Sequence, residues 1–247
     1  MSIQSGLSIC STPTLLSRLA ADFLVQVIQE TVVKEGRVAL CLSGGSTPRE
    51  LYSLLSCPPY CHEIPWKKVH IFWGDERHIS LDEPDNHYRM AMNLFLSKVP
   101  IPPHNIHRMV VEIAEPDRVA KEYEFHLRTF FGLPDDGIPQ FDLIFLGMGA
   151  DGHTASLFPG TTALNERKRL VVSNYVPRLG LFRMTLTLPV FNQGRKVVFL
   201  VSGTSKSAML KTVLQDSKGK SLLPAQMVCP VSGEVLWLVD KDAASRL

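Results

Sequence analysis

FDLIFLGMGADGH, Phe141 to His153, joins an apolar run to a glycine-rich turn. Taken letter for letter, Gly147, Gly149 and Gly152 satisfy the G-x-G-x-x-G pattern of a dinucleotide-binding strand-to-helix turn. That use needs a long helix after the third glycine and an acidic residue about 20 positions further on for the ribose. Pro159 falls seven positions after Gly152, and the region where the acid belongs runs RKRLVV. The turn also follows an interior strand rather than the first strand-helix-strand unit. The pattern therefore predicts a buried strand ending in a sharp bend, and the bend delivers Asp151 and His153 instead of a nucleotide phosphate.

Other segments fall into place around this strand. RVALCLS, KVHIFWG, RMTLTL, KVVFLVS and EVLWLV are near-continuous apolar runs, the pattern of strands buried on both faces. Between them lie helical spacings. Leu15, Leu16, Leu19, Ala20, Phe23, Leu24, Val27 and Ile28 recur in steps of three and four, with Ser11 or Thr12 as N-cap, Pro13 in the first turn and a stop near Gly36. GGSTPRELYSLL turns into a helix, Asn86 to Leu96 and Thr204 to Leu214 read as two more, and Pro116 to Phe131 ends at Gly132. Strands alternating with helices predict an α/β fold with a mostly parallel sheet and helices on both faces. With no repeat and no Gly/Ser/Pro-rich linker, residues 1–247 read as one domain.

Composition narrows the function classes. The chain has 247 residues, 45% hydrophobic and 20% charged, with a formal net charge of +2. That balance gives no reason to expect nucleic acid or an anionic membrane as partner. Five scattered cysteines argue for a reducing compartment over a disulfide framework. Cys57, Cys61 and His62 in CPPYCHE lack a second cysteine pair, so a structural metal is not expected there. The N-terminal segment lacks a basic signal-like region, and no run approaches the length of a membrane span. A cytoplasmic protein is the expectation.

In parallel α/β sheets, ligands sit beyond the carboxyl ends of the strands. Four stretches qualify, and all should meet on one edge. SGGSTP offers Ser43, Gly44, Gly45, Ser46 and Thr47 directly before a helix, an anion cradle suited to phosphate, or a turn simply capped by Ser46 or Thr47. GDER carries Asp75 and Arg77, the latter a guanidinium for phosphate or carboxylate, or the solvated start of a loop. The loop beyond it, HISLDEPDNHY, fits a polar surface loop as well as a weak metal site. SGTSK sets Lys206 against the dipole of the helix it opens, which points to an anionic ligand. Arg183 opens RMTLTL as a surface residue or a further anion contact. In GMGADGH, Asp151 and His153 have the parts of a general base and its charge partner, or a histidine capping a short helix. No G-x-S-x-G elbow is present, so the nucleophile for a catalytic histidine is water.

The stretches LSGGSTPREL, GDER, FDLIFLGMGADGHTASLFPG and RMTLTLPVFNQGRKVVFLVSGTSKSAML, in this order from about Arg37 to Trp237, resemble the 6-phosphogluconolactonases of the glucosamine-6-phosphate isomerase/6-phosphogluconolactonase family. The resemblance implies the Rossmann-like fold shared with glucosamine-6-phosphate deaminase and ribose-5-phosphate isomerase. It also implies hydrolysis of 6-phospho-D-glucono-1,5-lactone without metal or cofactor; a monomer or homodimer is the expectation, and the sequence does not choose between them. On the family pattern His153 activates water beside Asp151, and the SGGST loop, Arg77, Arg183 and Lys206 surround the sugar phosphate, with Asp75 a substrate-site candidate whose role is open. The hexosamine-6-phosphate deaminases look like MDEY and FNEP where this chain has GDER and SLFP, so the glutamate that their ring opening calls for is missing. A sugar-phosphate-sensing regulatory domain is the alternative from another class, but the residues before Arg37 hold only one helix and no DNA-binding pair.

Overall fold

The structure, a computed structural model, describes residues 6–215 and 222–247. The first half of the chain runs β1 (Gly6–Cys10), α1 (Pro13–Glu35), β2 (Val38–Leu42), α2 (Pro48–Leu55), α3 (Tyr60–Glu63), β3 (Val69–Trp73), β4 (Asp75–Arg77), α4 (His87–Leu94), β5 (Ile106–His107) and α5 (Pro116–Phe131). The second half runs β6 (Leu143–Gly147), β7 (Val171–Val176), β8 (Leu181–Leu186), α6 (Leu188–Phe191), β9 (Lys196–Val201), α7 (Ser207–Gln215), α8 (Pro224–Met227) and β10 (Glu234–Asp240).

Seven strands form one sheet in the order β1-β10-β9-β6-β2-β3-β5, and every pairing in it is parallel. Alternation along the buried strands divides the core between two faces. Val38, Leu40 and Leu42 of β2, with Leu143 and Phe145 of β6, pack with residues of α1, α2 and α4. Ala39 and Cys41, with Ile144 and Leu146, pack on the other side with residues of α5, α7 and a smaller second sheet. This is why the strands read as continuous apolar runs: each successive side chain meets a covered face.

The topology also fixes where a ligand fits. From β2 the chain moves outward through β3 and β5, then returns to place β6 on the other side of β2 and continues through β9 and β10. The order reverses between β2 and β6, so a crevice opens beyond their carboxyl ends. The glycine loop follows β2, and the GMGADGH turn follows β6.

Helix ends follow their sequence signals. Thr12, extended at φ −144°, accepts a hydrogen bond from Leu15 N at 3.2 Å, and Gly36 closes α1 in the left-handed region. Gly132 does the same for α5.

Several expectations change. RMTLTL is not in the parallel sheet: it forms β8, which pairs antiparallel with β4 and β7 in a three-stranded sheet. GDER is not a solvated loop start, since Asp75–Arg77 is itself the edge strand of that sheet. Ladder hydrogen bonds to β8 hold it extended despite its charge. The segment 6–10 adds an unexpected edge strand beside β10, half-exposed and too short to show a clear period. α4 ends at Leu94, and a 3-10 turn at Thr204–Lys206 precedes α7. Among the described residues no helix is long and apolar enough to cross a membrane.

Candidate active site

The bend after β6 is built around its histidine. Gly149 N donates to His153 O at 2.8 Å and Gly152 N to Gly149 O at 3.1 Å, folding the turn back on itself. No helix follows, so His153 caps nothing. A Cβ at Gly149 would lie 2.0 Å from His153 Nδ1 and 2.5 Å from Asp151 Oδ1, so only glycine leaves room for the pair. Gly152 takes φ 79°, the left-handed conformation that glycine adopts without steric cost.

His153 Nδ1 lies 2.5 Å from Asp151 Oδ1. With the carboxylate ionised, this contact places the proton on Nδ1 and leaves Nε2 as the basic nitrogen. The ring stacks on Phe158, with centroids 4.2 Å apart. Burial is the largest influence on the imidazole and lowers its pKa; Asp151 opposes this only in part, so the net value lies below that of an ordinary histidine. Burial pushes the Asp151 carboxyl up, but the His153 hydrogen bond and charge, with Arg178, bring it below the usual carboxylate range. A neutral imidazole oriented by an ionised carboxylate is competent as a general base.

His153 opens onto a cleft of about 180 Å³. Ser43, Gly44, Gly45, Ser46 and Thr47 line it as well, with Asp75, Arg77, Arg183 and Lys206. The structure thus brings every sequence-derived candidate to the cleft except Asp151, which stands behind the imidazole. In the glycine loop, Thr47 precedes α2 in a helical conformation and its hydroxyl makes no capping bond. Ser43 is held from below, where its carbonyl accepts from Tyr52 OH at 2.7 Å, while its buried Oγ has no protein partner.

Arg77 and Arg183 converge from β4 and β8. Both Nε atoms are buried without a partner. Burial, and the positive charge of Arg77, lower the Arg183 pKa from its usual value. Unpartnered buried donors are costly unless something accepts from them, so these two and Ser43 Oγ leave hydrogen-bonding capacity at the cleft open to a polar ligand. Asp75 is committed elsewhere: its Oδ2 accepts from Ser156 Oγ at 2.6 Å, and its backbone carbonyl lies 3.0 Å from His87 Nδ1. Ala155, with φ 47°, turns the chain so that Ser156 reaches inward.

Three further residues complete the site. His87 lines the cleft and lies so close to Gly44 that a Cβ there would sit 2.0 Å from its ring. Arg178 binds the outer oxygen of Asp151, Nη2 to Oδ2 at 2.5 Å. Phe158 supports the imidazole. His87 was one of two histidines in a loop that read as polar surface; the available signal was Asn86, which caps α4 by accepting from Arg89 N at 2.9 Å and so places His87 at the helix start. Arg178 sits in PRLG, which has the composition of any surface turn. In CPPYCHE, Tyr60 OH donates to Asp22 and Trp66 Nε1 to the Cys61 carbonyl, a packing role. Among the described residues no group of three or more His, Cys, Asp or Glu is placed to hold a metal ion.

The chain is similar to known proteins over nearly all of its length. A family model described as glucosamine-6-phosphate isomerases/6-phosphogluconolactonase matches residues 11–237. The chain is 43% identical to the 6-phosphogluconolactonase of Synechocystis sp. over 221 residues, 89% of each chain. It superposes on the 6-phosphogluconolactonase of Trypanosoma cruzi with a TM-score of 0.87 at 29% identity, covering 100% of this chain and 98% of that one. A monomeric glucosamine-6-phosphate deaminase shares the fold, with a TM-score of 0.78 at 22% identity over 98% of this chain and 100% of that one.

Proposed function

This chain belongs to the glucosamine-6-phosphate isomerase/6-phosphogluconolactonase family, and we propose that it hydrolyses 6-phospho-D-glucono-1,5-lactone to 6-phospho-D-gluconate, the second step of the oxidative pentose phosphate pathway. The observation that carries this reading is the gathering of groups in one cleft: an oriented imidazole, and two arginines with unpartnered buried donors.

The phosphate binds between Arg77, Arg183, Lys206 and the glycine loop, which fixes the lactone ring over His153. Nε2 takes a proton from water as its oxygen attacks the lactone carbonyl, and Nδ1–H stays on Asp151. General-base help of this kind contributes ~10²–10⁴ in rate. A neighbouring cation, or backbone N–H groups of the turn other than those of Gly149 and Gly152, stabilise the developing oxyanion, each donor contributing ~10²–10³. The tetrahedral intermediate then collapses: the bond from the carbonyl carbon to the ring oxygen breaks, and the imidazolium returns its proton to the departing alkoxide. This route uses neither metal nor cofactor.

Phe158 supports lactone over amino-sugar chemistry. It packs an apolar ring against the imidazole, in the stretch where ring opening of an amino sugar calls for a carboxylate. Assay of the purified protein on two substrates tests the proposal. Acid release from fresh 6-phosphogluconolactone, without ammonia from glucosamine 6-phosphate, is the expected result. Ammonia release, or no acceleration of lactone hydrolysis over buffer, would overturn it.

A further inference from the structure

Asp151 has two carboxylate oxygens and the structure commits both. Oδ1 faces His153 Nδ1, and Oδ2 faces the guanidinium of Arg178, each at 2.5 Å. Arg178 comes from a different part of the fold, the 3-10 turn Pro177–Leu179 at the tip of the β7–β8 hairpin. It lies over the Phe158 ring at 5.0 Å, and the same ring stacks on His153. Arginine, aspartate and histidine are thus closed into one assembly with Phe158 as its floor. Neither Arg178 nor Asp151 is among the residues that line the cleft, and the contacts of Arg178 are to Asp151 and the Phe158 ring.

The geometry points to Arg178 as a positioning residue for the proposed hydrolysis: it pins the Asp151 carboxylate in the plane of the imidazole and draws off part of its negative charge, keeping His153 unprotonated. The inference rests on the reading of His153 as the base. A carboxylate held at one oxygen only is free to rotate about its Cβ–Cγ bond, and the imidazole then loses its fixed tautomer. A carboxylate without its second cation also presents more negative charge to His153, which favours the protonated ring.

The two effects are read separately: the added negative charge raises the pH at which His153 gains its proton for as long as Asp151 keeps its contact, and the lost orientation lowers the plateau kcat. The other charged groups around the base stay unchanged by a substitution at Arg178: Asp75 and Arg77 from β4, Arg183 from β8, His87 at the start of α4, and Lys206 before α7. Loss of Arg178 also removes a direct repulsion on the imidazolium, so it too raises the pH at which His153 gains its proton.

The test compares wild type, Arg178→Gln and Arg178→Lys. First, the protonation midpoint of His153 is read in the ligand-free protein by long-range ¹H–¹⁵N correlation of the imidazoles, assigned by loss of the signal in His153→Gln. The expected result is a midpoint raised by about half a pH unit or more in Arg178→Gln and close to wild type in Arg178→Lys. Second, the acid limb of kcat/KM for 6-phosphogluconolactone moves up in step, the plateau kcat drops roughly 3–30-fold, and KM changes less than about twofold. An unmoved midpoint overturns the inference. So does a several-fold rise in KM with the midpoint unmoved, which would make Arg178 a substrate contact. Because the first measurement uses no substrate, a wild type that fails to hydrolyse the lactone sinks the functional reading alone, while a raised midpoint still shows Arg178 governing the dyad.

Discussion

Arg77 and Arg183 are register partners in the antiparallel β4–β8 ladder, so two arginines stand directly opposite each other. Like charges in that position destabilise a sheet. Asp85 relieves Arg77 through an ion pair at 2.8 Å and through its carbonyl, but Arg183 has no carboxylate within ion-pair distance and sits largely out of water. Such a pair becomes favourable once an anion bridges it. The small sheet brings the two guanidinium groups together, and the parallel sheet supplies the glycine loop and the base that face them.

Replacing Arg183 by Met therefore separates binding from stability. Hydrogen bonds to a charged group contribute roughly 1.5–3 kcal/mol, so KM for the lactone should rise about 10- to 100-fold while kcat falls much less. The ligand-free Tm should stay level or rise, since removing a like-charge pair recovers ~0.2–1 kcal/mol. Thermal melts with and without 6-phosphogluconate complete the test. A full wild-type gain in Tm from the product would show that Arg183 is not part of the anion seat.

His153→Gln should lower kcat by ~10²–10⁴ with little change in Tm. Burial holds the imidazole below its usual value, and the base acts when neutral. Its protonation on acidification therefore comes at lower pH than for an ordinary histidine, and the acid limb of kcat/KM should have its midpoint below about 6.5. A wild-type profile already falling at pH 7.5 would contradict this account.

Far from the cleft, His70, His107 and His126 form a chain: His70 Nδ1 to His107 Nε2 at 3.1 Å, and His107 Nδ1 to His126 Nε2 at 2.7 Å. Phe72 and Phe130 pack against it. Each bond needs one bare nitrogen, so the chain accommodates one proton beyond its neutral state, and a second must break a bond. Burial pushes His70 down to about 4 and His107 to about 3, and it lowers His126 as well. Folded values below the unfolded value of about 6.5 mean that unfolding takes up protons. The stabilisation is thus fully present above pH 6.5 and is lost as pH falls towards 4 to 3. For His107, the buried member of the chain, the loss by pH 5 is on the order of 1–2 kcal/mol. Urea midpoints at pH 7.5 and 5.0 measure it, and His107→Phe should flatten the difference. An equal pH dependence in that variant would remove the chain from the account.

The parts legible in the sequence were those fixed by local chemistry. Pro13, Thr12 and Gly36 mark the ends of α1, and the apolar runs mark strands covered on both faces. That the four candidate stretches meet at one edge was also legible, because the switch between β2 and β6 gathers strand ends whatever the details. The second sheet was not. Asp75–Arg77 has no strand pattern of its own and is extended only because β8 pairs with it. Arg178 and His87 were hidden for the same reason: each acquires its role from a residue distant in sequence, Asp151 in one case and Gly44 in the other. Position 158 was read for the carboxylate it lacks, while the stacking that its phenylalanine supplies needed the fold.

Gly149 tests the bend itself. Its added Cβ in Gly149→Ala would meet His153 Nδ1 at 2.0 Å and Asp151 Oδ1 at 2.5 Å. Both contacts are with side chains rather than backbone, so the clash is relieved by moving the dyad, not by opening the fold. Overpacking of this kind costs about 1–3 kcal/mol. The effect on turnover should be larger than on stability, because displacement of a catalytic group by about 1 Å costs up to ~10²-fold. Gly147→Ala is the comparison in the same turn: a Cβ there meets no protein atom within 4 Å but borders the cleft, so the two variants are compared by kcat at saturating substrate. The expected outcome is a kcat reduced at least tenfold in Gly149→Ala and near wild type in Gly147→Ala, with both variants folded by circular dichroism. Equal activity in the two variants would mean that the glycine at 149 does not serve the histidine.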